Sequence, residues 1–301
     1  MMHSFANKTT MLPLISLLLV LLSGCNRGNG KLPKSTGQPY EVVLEGDTDS
    51  IVTKILTEEV PALPQPEPLC RLIQVKKGKT HGSYLLVRTR IVVNIPAAEF
   101  SVGLSRNENA SPQTVIRISA RSPQQLREKL NPEKLRQLVD EAELEHLASI
   151  ISTNPSKQNR EMQQLVKKNF GISMNIPAEM QASKKAKNFS WISNNASSGM
   201  KNLIIMRVKS EERRAEKHQI DSMLRTNMPG ETDSMYMVIP VLSERGLWEM
   251  KGDAMGGPYV MQRIHLGKTE DEIIIIGFVY APEMKKKILI TQLEAAISTI
   301  K

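Results

Sequence analysis

Residues 272–280 read EIIIIGFVY, and this stretch decides the fold class. Successive side chains of a strand point to opposite faces. Ile273, Ile274, Ile275 and Ile276 therefore put apolar groups on both faces, as in a strand at the interior of a covered sheet. Downstream, Pro282 opens a last helix with Met284, Ile288, Leu289, Leu293, Ile297 and Ile300 on one face. Upstream, strands are expected at 259–266, 248–250, 235–239, 203–208, 189–192 and 172–176. A helix is expected from Ser210 to about Asn227, with Glu211 and Glu212 in its first turn, where acids suit the dipole. These elements make one α/β lobe over residues 171–301.

Before it, residues 122–170 form a helical block. Ser122-Pro123, Asn131-Pro132 and Asn154-Pro155 each pair a capping side chain with proline at the first helical position. Leu135, Leu138, Val139, Ala142, Leu147, Ile150 and Ile151 supply a helical stripe, and the block ends at Phe170-Gly171. Residues 39–121 form another α/β lobe, with strands at 39–44, 69–75, 84–95 and 114–120 and a helix over 47–60 that Asp or Thr can cap. In its middle, PALPQPEP carries Pro61, Pro64, Pro66 and Pro68. Proline at this density excludes helix and inner strand, leaving an ordered extended loop suited to docking. The expected fold is α+β: two lobes of mainly antiparallel sheet flanked by helices, α/β/α sandwich-like, joined by the helical block. Both lobes run strand, helix, strands, helix, which suggests a duplication, although no residue-level repeat accompanies it.

The N-terminus has its own pattern. Met1–Thr10 is polar with Lys8 and no acid, and residues 11–22 read MLPLISLLLVLL. A bilayer-spanning helix needs about 20 apolar residues, so this run has the length of a signal-peptide core. It ends in Leu22-Ser23-Gly24-Cys25, which resembles the lipobox of bacterial lipoproteins. That resemblance implies cleavage before Cys25, a thioether-linked diacylglycerol on its sulfur and an acylated amine. Multiple acyl chains hold a protein stably on a bilayer. Residues 1–24 are then the signal peptide and 25–38 a lipidated tether. The tether's opening, Asn26 to Lys31, has no acid. An acidic cluster there resembles a surface-export signal in Bacteroidetes lipoproteins, so its lack favours an outer-membrane anchor facing the periplasm.

Composition is that of a globular protein, with formal charge +9. Export removes nucleic acid as the default polyanion and leaves lipid headgroups and lipopolysaccharide phosphates. The runs Lys76-Lys77, Lys184-Lys185 and Lys285-Lys286-Lys287 read as solvated helix ends or turns. With Cys25 committed to lipid, Cys70 has no intramolecular partner and reads as a small buried apolar residue.

Two further resemblances concern the body. LPKSTGQPYEV (32–42), the helix after it, ALPQPEPL (62–69), FGISMNIP (170–177) and NFSWI (188–192) resemble an uncharacterised family of Bacteroidetes lipoproteins, domain of unknown function 4837. The resemblance covers most of the chain past Cys25 and brings no active site with it. The second half also looks like the PsbP/Mog1 type of α/β/α sandwich. Its marks are a first strand closed by Ile176-Pro177, a mid-domain helix, a Gly256-Gly257-Pro258-Tyr259 turn into a long hairpin, and a C-terminal helix.

The search for chemistry finds little. His81, His146, His218 and His265 lack metal-ligand spacing with another His or Cys. Glu143 and His146, i and i+3 on a helix, could share a metal but read as a solvated acidic face. There is no GxSxG and no P-loop. Gly252–Gly257 lacks the strand-to-helix context of a phosphate cradle and reads as a hairpin-side turn. Asp47/Asp49 and Glu270/Asp271/Glu272 could serve as paired carboxylates, but sit where acids cap and solubilise. No metal or cofactor is expected. Asp49-Ser50-Ile51, Asp221-Ser222-Met223 and Asp233-Ser234-Met235 resemble the Bacteroidetes O-glycosylation acceptor, which makes Ser50, Ser222 and Ser234 candidates, with Ser234 in a turn. The expected role is a non-catalytic envelope lipoprotein that binds a protein partner. The alternatives are binding of a small ligand, glycan or lipid between the lobes or under the Gly256-Gly257 hairpin, and an unrecognised hydrolase.

Overall fold

A computed structural model describes residues 31–209, 213–232, 234–241, 243–267 and 271–301, with residue 213 described by its backbone alone. The expected signal peptide over residues 1–24, Cys25 and the start of the expected tether lie outside the described residues. So do Ser210, Glu211, Glu212, Asp233 and Glu270.

The isoleucine strand sits where its composition requires. Strands β1 (Glu41–Glu45), β2 (Arg71–Val75), β3 (Thr89–Asn94), β4 (Ser101–Arg106) and β5 (Thr114–Ser119) form a five-stranded sheet ordered β2-β1-β3-β5-β4. Strands β6 (Ala182–Ala186), β7 (Phe189–Ser193), β8 (Met200–Lys209), β9 (Tyr236–Val238), β10 (Arg245–Lys251), β11 (Gly256–His265) and β12 (Asp271–Tyr280) form a seven-stranded one ordered β6-β7-β8-β12-β11-β10-β9. β12 is its middle strand. Ile273 and Ile275 enter one apolar cluster and Ile274 and Ile276 the other.

The molecule is α+β with two lobes. Seven of the ten ladders among the described residues are antiparallel, including all those of the larger sheet. The three parallel ladders are in the smaller sheet, where β1 pairs with β2 and β3, and β3 with β5. Helix α1 (Ile51–Thr57) supplies the crossover that the β1–β2 pairing needs. Asp47 caps it, accepting from the backbone N–H groups of Ile51 (3.0 Å), Val52 (3.2 Å) and Thr53 (2.8 Å). Helices α2 (Pro123–Lys129) and α3 (Pro132–Thr153) join α1 on one face of this sheet. Ser122 and Asn131 cap them as the sequence indicates, accepting from Gln125 and Lys134.

The larger sheet carries helices on both faces. Helix α4 (Arg160–Phe170) and helix α6 (Lys287–Ile297) pack with residues 172–180 on one side; helix α5 (Arg213–Asn227) lies on the other. Gly257 is fixed by packing. A Cβ there would stand 2.1 Å from the Val279 carbonyl oxygen, which accepts from Trp248 Nε1 at 3.0 Å.

Several expectations are corrected. Residues 172–176 form no strand; Ile172, Met174 and Ile176 are buried in extended chain beneath α4 and α6. The 84–95 strand begins only at Thr89, after a 3-10 turn over Gly82–Leu86. The third proline device opens a 3-10 turn, Pro155–Lys157, and Asn159 caps the helix that follows. The last helix starts at Lys287, five residues past Pro282. Gly256-Gly257-Pro258 belongs to β11, and the turn precedes it. β4 and β6 are strands that apolar patterning does not announce. Lys184 and Lys185 lie on the exposed β6, and Lys286 and Lys287 are buried rather than solvated.

Candidate functional site

The lobes meet where α3 lies against α6. Beside that contact is a cavity of about 380 Å³. Its apolar wall comes from Val60, Leu63 and Leu69 of one lobe and Val260 and Ile290 of the other, and Tyr40, Asp140, Arg245 and Lys287 bring polar groups to it.

Each of these polar groups is held by a partner. Tyr40 donates its hydroxyl to Asp140 Oδ1 at 2.5 Å, and the Tyr40 hydroxyl oxygen lies 3.3 Å from Thr291 Oγ1 of α6. Burial, with Asp140 alongside, pushes the Tyr40 hydroxyl well above its ordinary pKa, so it stays a neutral donor. Arg245, on β10, pairs with both carboxylate oxygens of Glu294 and stands 3.7 Å from Asp140. Burial raises the Glu294 pKa, against the pull of Arg245. Lys287 Nζ lies 4.4 Å from the centroid of the Tyr40 ring and donates to the carbonyls of Pro68 (2.7 Å) and Leu69 (2.5 Å). Burial lowers its pKa.

The proline loop is the other half of this junction. Its base is closed by the hydrogen bonds Val60 N–H to Glu67 O (2.9 Å) and Leu69 N–H to Glu58 O (3.0 Å). Arg136 of α3 ties that base further, donating to the carbonyls of Ile55 (3.0 Å) and Glu59 (2.9 Å). Glu67, only 4% exposed, reaches into the other lobe and accepts from the backbone N–H groups of Lys286 (2.6 Å) and Lys287 (3.2 Å). A carboxylate from one lobe thus caps the first turn of a helix in the other. Pro61, Pro64, Pro66 and Pro68 remain exposed, and only Pro61 of the four lines the cavity. Nothing in the sequence marks Glu67, Tyr40 or Lys287, because each finds its partner across more than 200 positions or, for Asp140, across 100.

The remaining candidates are dispersed. Glu143 and His146 are not a solvated face: both are buried, and Glu143 accepts from Arg88 at 2.7 Å. Burial lifts the Glu143 pKa and, with Arg88, lowers that of His146 to about 4. His81, His218 and His265 are exposed. Asp47 is spent on its cap, Asp49 faces Arg127, Asp271 faces Arg207, and Glu272 lies 3.0 Å from His265 Nδ1. Among the described residues no group of three His, Cys, Asp or Glu side chains gathers to hold a metal, and no helix is long and apolar enough to cross a membrane. Cys70 is buried, and burial pushes its thiol up to about 12. Ser222 and Ser234 are exposed; Ser50 is half-buried with φ 55°.

Residues 159–299 match a family described as a domain of unknown function, DUF4837. Residues 35–152 match a second, DUF8532. The two matches divide the chain close to the boundary between the lobes. The resemblance to the first family is therefore narrower than the sequence motifs imply: FGISMNIP and NFSWI fall within it, whereas LPKSTGQPYEV overlaps and ALPQPEPL lies inside the second. No curated protein matches the chain.

Proposed function

We propose that this protein is a lipid-anchored lipoprotein of the cell envelope whose two-lobed body binds a protein partner without catalysis, using the proline loop at 61–68 as its recognition element. The observation that carries this reading is the loop's construction. It is tied at its base, capped onto the opposite lobe through Glu67, and left with all four prolines exposed. An extended segment already fixed in shape loses little conformational entropy when a partner seats on it.

The anchor rests on Leu22-Ser23-Gly24-Cys25, with acylated Cys25 holding the body at the outer membrane, facing the periplasm. Helices on both faces of the larger sheet support the PsbP/Mog1 likeness, a fold that serves mostly in binding and assembly. The charged groups at the cleft support a non-catalytic role, since Arg245 is held by Asp140 and Glu294, and Lys287 by the Pro68 and Leu69 carbonyls of the other lobe. The exposed Ser222 and Ser234 suit the glycosylation reading better than Ser50. An intact mass equal to that of the acylated polypeptide alone would remove it.

The test is crosslinking in the native cell, with adducts identified by mass spectrometry, for the wild type, Cys25→Ala and a Pro64→Ser/Pro66→Ser double variant. Deleting the whole loop is unsuitable, because it also removes Glu67 from its helix. One dominant envelope protein, lost on Cys25→Ala and weakened in the proline variant, supports the reading. An unchanged adduct in the proline variant removes the loop from it. A second reading, a small amphipathic ligand held between the lobes, has the cavity beside Leu63 and Ile290 in its favour. A delipidated extract of the purified protein that contained a stoichiometric small molecule would favour it.

A further inference from the structure

The far edge of the smaller sheet is open, and its apolar face continues past the helices that cover the rest. β4 is the last strand, at the edge opposite β2, the strand into which the proline loop leads. Its register pairs Val102 with Ile118 and Leu104 with Ile116. Ile116 and Ile118 are fully buried core residues beneath α1 and α2. Val102 and Leu104 lie on that same face but are 42% and 44% exposed. They form one wall of a groove of about 520 Å³ whose other wall is Leu130, Leu135 and Leu138.

Among the described residues no strand pairs with the outer backbone of this edge. Thr114 donates its N–H to Arg88 O (2.8 Å) and Ala120 to Asn94 O (3.1 Å), both on the β3 side. By alternation, Ile116 and Ile118 also face β3. Their partners Leu104 and Val102 are therefore non-hydrogen-bonded pairs, with N–H and C=O directed away from β5 and out of the sheet. Natural edges are usually blunted by charge, bulge or cover. Here two consecutive outward positions carry apolar side chains beside an apolar groove.

Charge selects the occupant. Lys129 and Lys134 line the groove, and among the described residues no acid does. Neither ammonium pairs with an acid among the described residues. That cationic rim disfavours a second copy of the same edge and favours an acidic strand.

We propose that β4 is a strand-addition site for an extended, acidic peptide segment of a partner protein. The segment pairs with the Val102 and Leu104 backbone, buries alternate apolar side chains against Leu130, Leu135 and Leu138, and sets its carboxylates against Lys129 and Lys134. This site is independent of the proline loop and stands or falls apart from it.

The test uses the full chain and a panel of fluorescein-labelled peptides in which Asp alternates with Val, Ile, Leu or Phe. Binding is read by anisotropy and site-resolved hydrogen exchange. At least one acidic peptide is expected to bind and to slow exchange of the Val102 and Leu104 amides, while the Gly103 and Ser105 amides are protected with or without peptide. Lys129→Glu/Lys134→Glu, with its melting temperature checked, is expected to weaken that binding about three- to thirtyfold and to accept the peptide in which Lys replaces Asp. The proposal is overturned if no peptide of the panel binds, or if binding leaves the Val102 and Leu104 amides exchanging freely. It is equally overturned if those amides are already protected in a free protein that sediments as a dimer, since a second copy then holds the edge.

Discussion

Glu67→Ala removes a carboxylate by which one lobe caps a helix of the other. Two charge-assisted bonds are lost, one short at 2.6 Å and one longer at 3.2 Å, both in a site closed to solvent. Loss of an N-cap costs about 0.5–2 kcal/mol, and a hydrogen bond to a charged group contributes about 1.5–3 kcal/mol. Lys287, which the Glu67 charge favours in its protonated form, is left with less compensation in a buried position. The expected destabilisation is about 2–4 kcal/mol. For a chain of 301 residues that corresponds to a fall of roughly 3–7 °C in melting temperature. Glu67→Gln keeps one acceptor oxygen and loses the charge, so it should fall about halfway. Urea unfolding followed by circular dichroism measures both. A Glu67→Ala protein within about 0.5 kcal/mol of wild type would refute the claim that this cap joins the lobes.

Three further outcomes are expected. Tyr40→Phe keeps the ring beneath Lys287 but drops the hydroxyl bonded to Asp140, and should cost about 1–2 kcal/mol in the same assay. His146 has its pKa depressed to about 4 in the folded state, against an unfolded value of about 6.5. Its contribution is therefore full above about pH 6.5 and is lost as pH falls toward 4, because the unfolded chain takes up the proton first. Glu143 and Glu294, raised by burial, act in the opposite sense in acid. The diagnostic is thus the wild-type stability minus that of His146→Gln, which should decline between pH 6.5 and 4; a flat difference would contradict it. Cys70, with its thiol pushed up to about 12 and buried, should react with a thiol reagent at pH 8 only after denaturation. Prompt labelling of the folded protein would show that the thiol is accessible.

The sequence announces what local chemistry controls. Four consecutive isoleucines require cover on both faces, and they lie on the middle strand of the larger sheet. Ser122 and Asn131 cap helices because cap geometry is settled within a few residues. The junction was not legible for the opposite reason. Lys286 and Lys287 look like solvated charges until Glu67 and the Pro68 and Leu69 carbonyls close over them from the other lobe. Glu143 looks like part of an acidic helix surface until Arg88 meets it 55 positions away. β4 and β6 are short edge strands with exposed side chains: SVGLSR alternates only Val102 and Leu104, and ASKKA has no large apolar residue, which is too little for a period-two reading. The stretch 172–176 misled in the converse way. Burial of Ile172, Met174 and Ile176 against two helices demands alternating apolar residues without any strand partner.

The central claim is that the anchored body holds a protein partner at the exposed prolines beside the lobe junction. A photo-reactive residue in place of Pro66 tests it most directly, in the lipidated protein in its native envelope, with the same group in place of exposed Lys185 on β6 as the reference position. One dominant protein adduct is expected from position 66, absent from position 185 and lost in the Cys25→Ala variant, which cannot carry the proposed anchor. No adduct from position 66, or the same adducts from both positions, would contradict it.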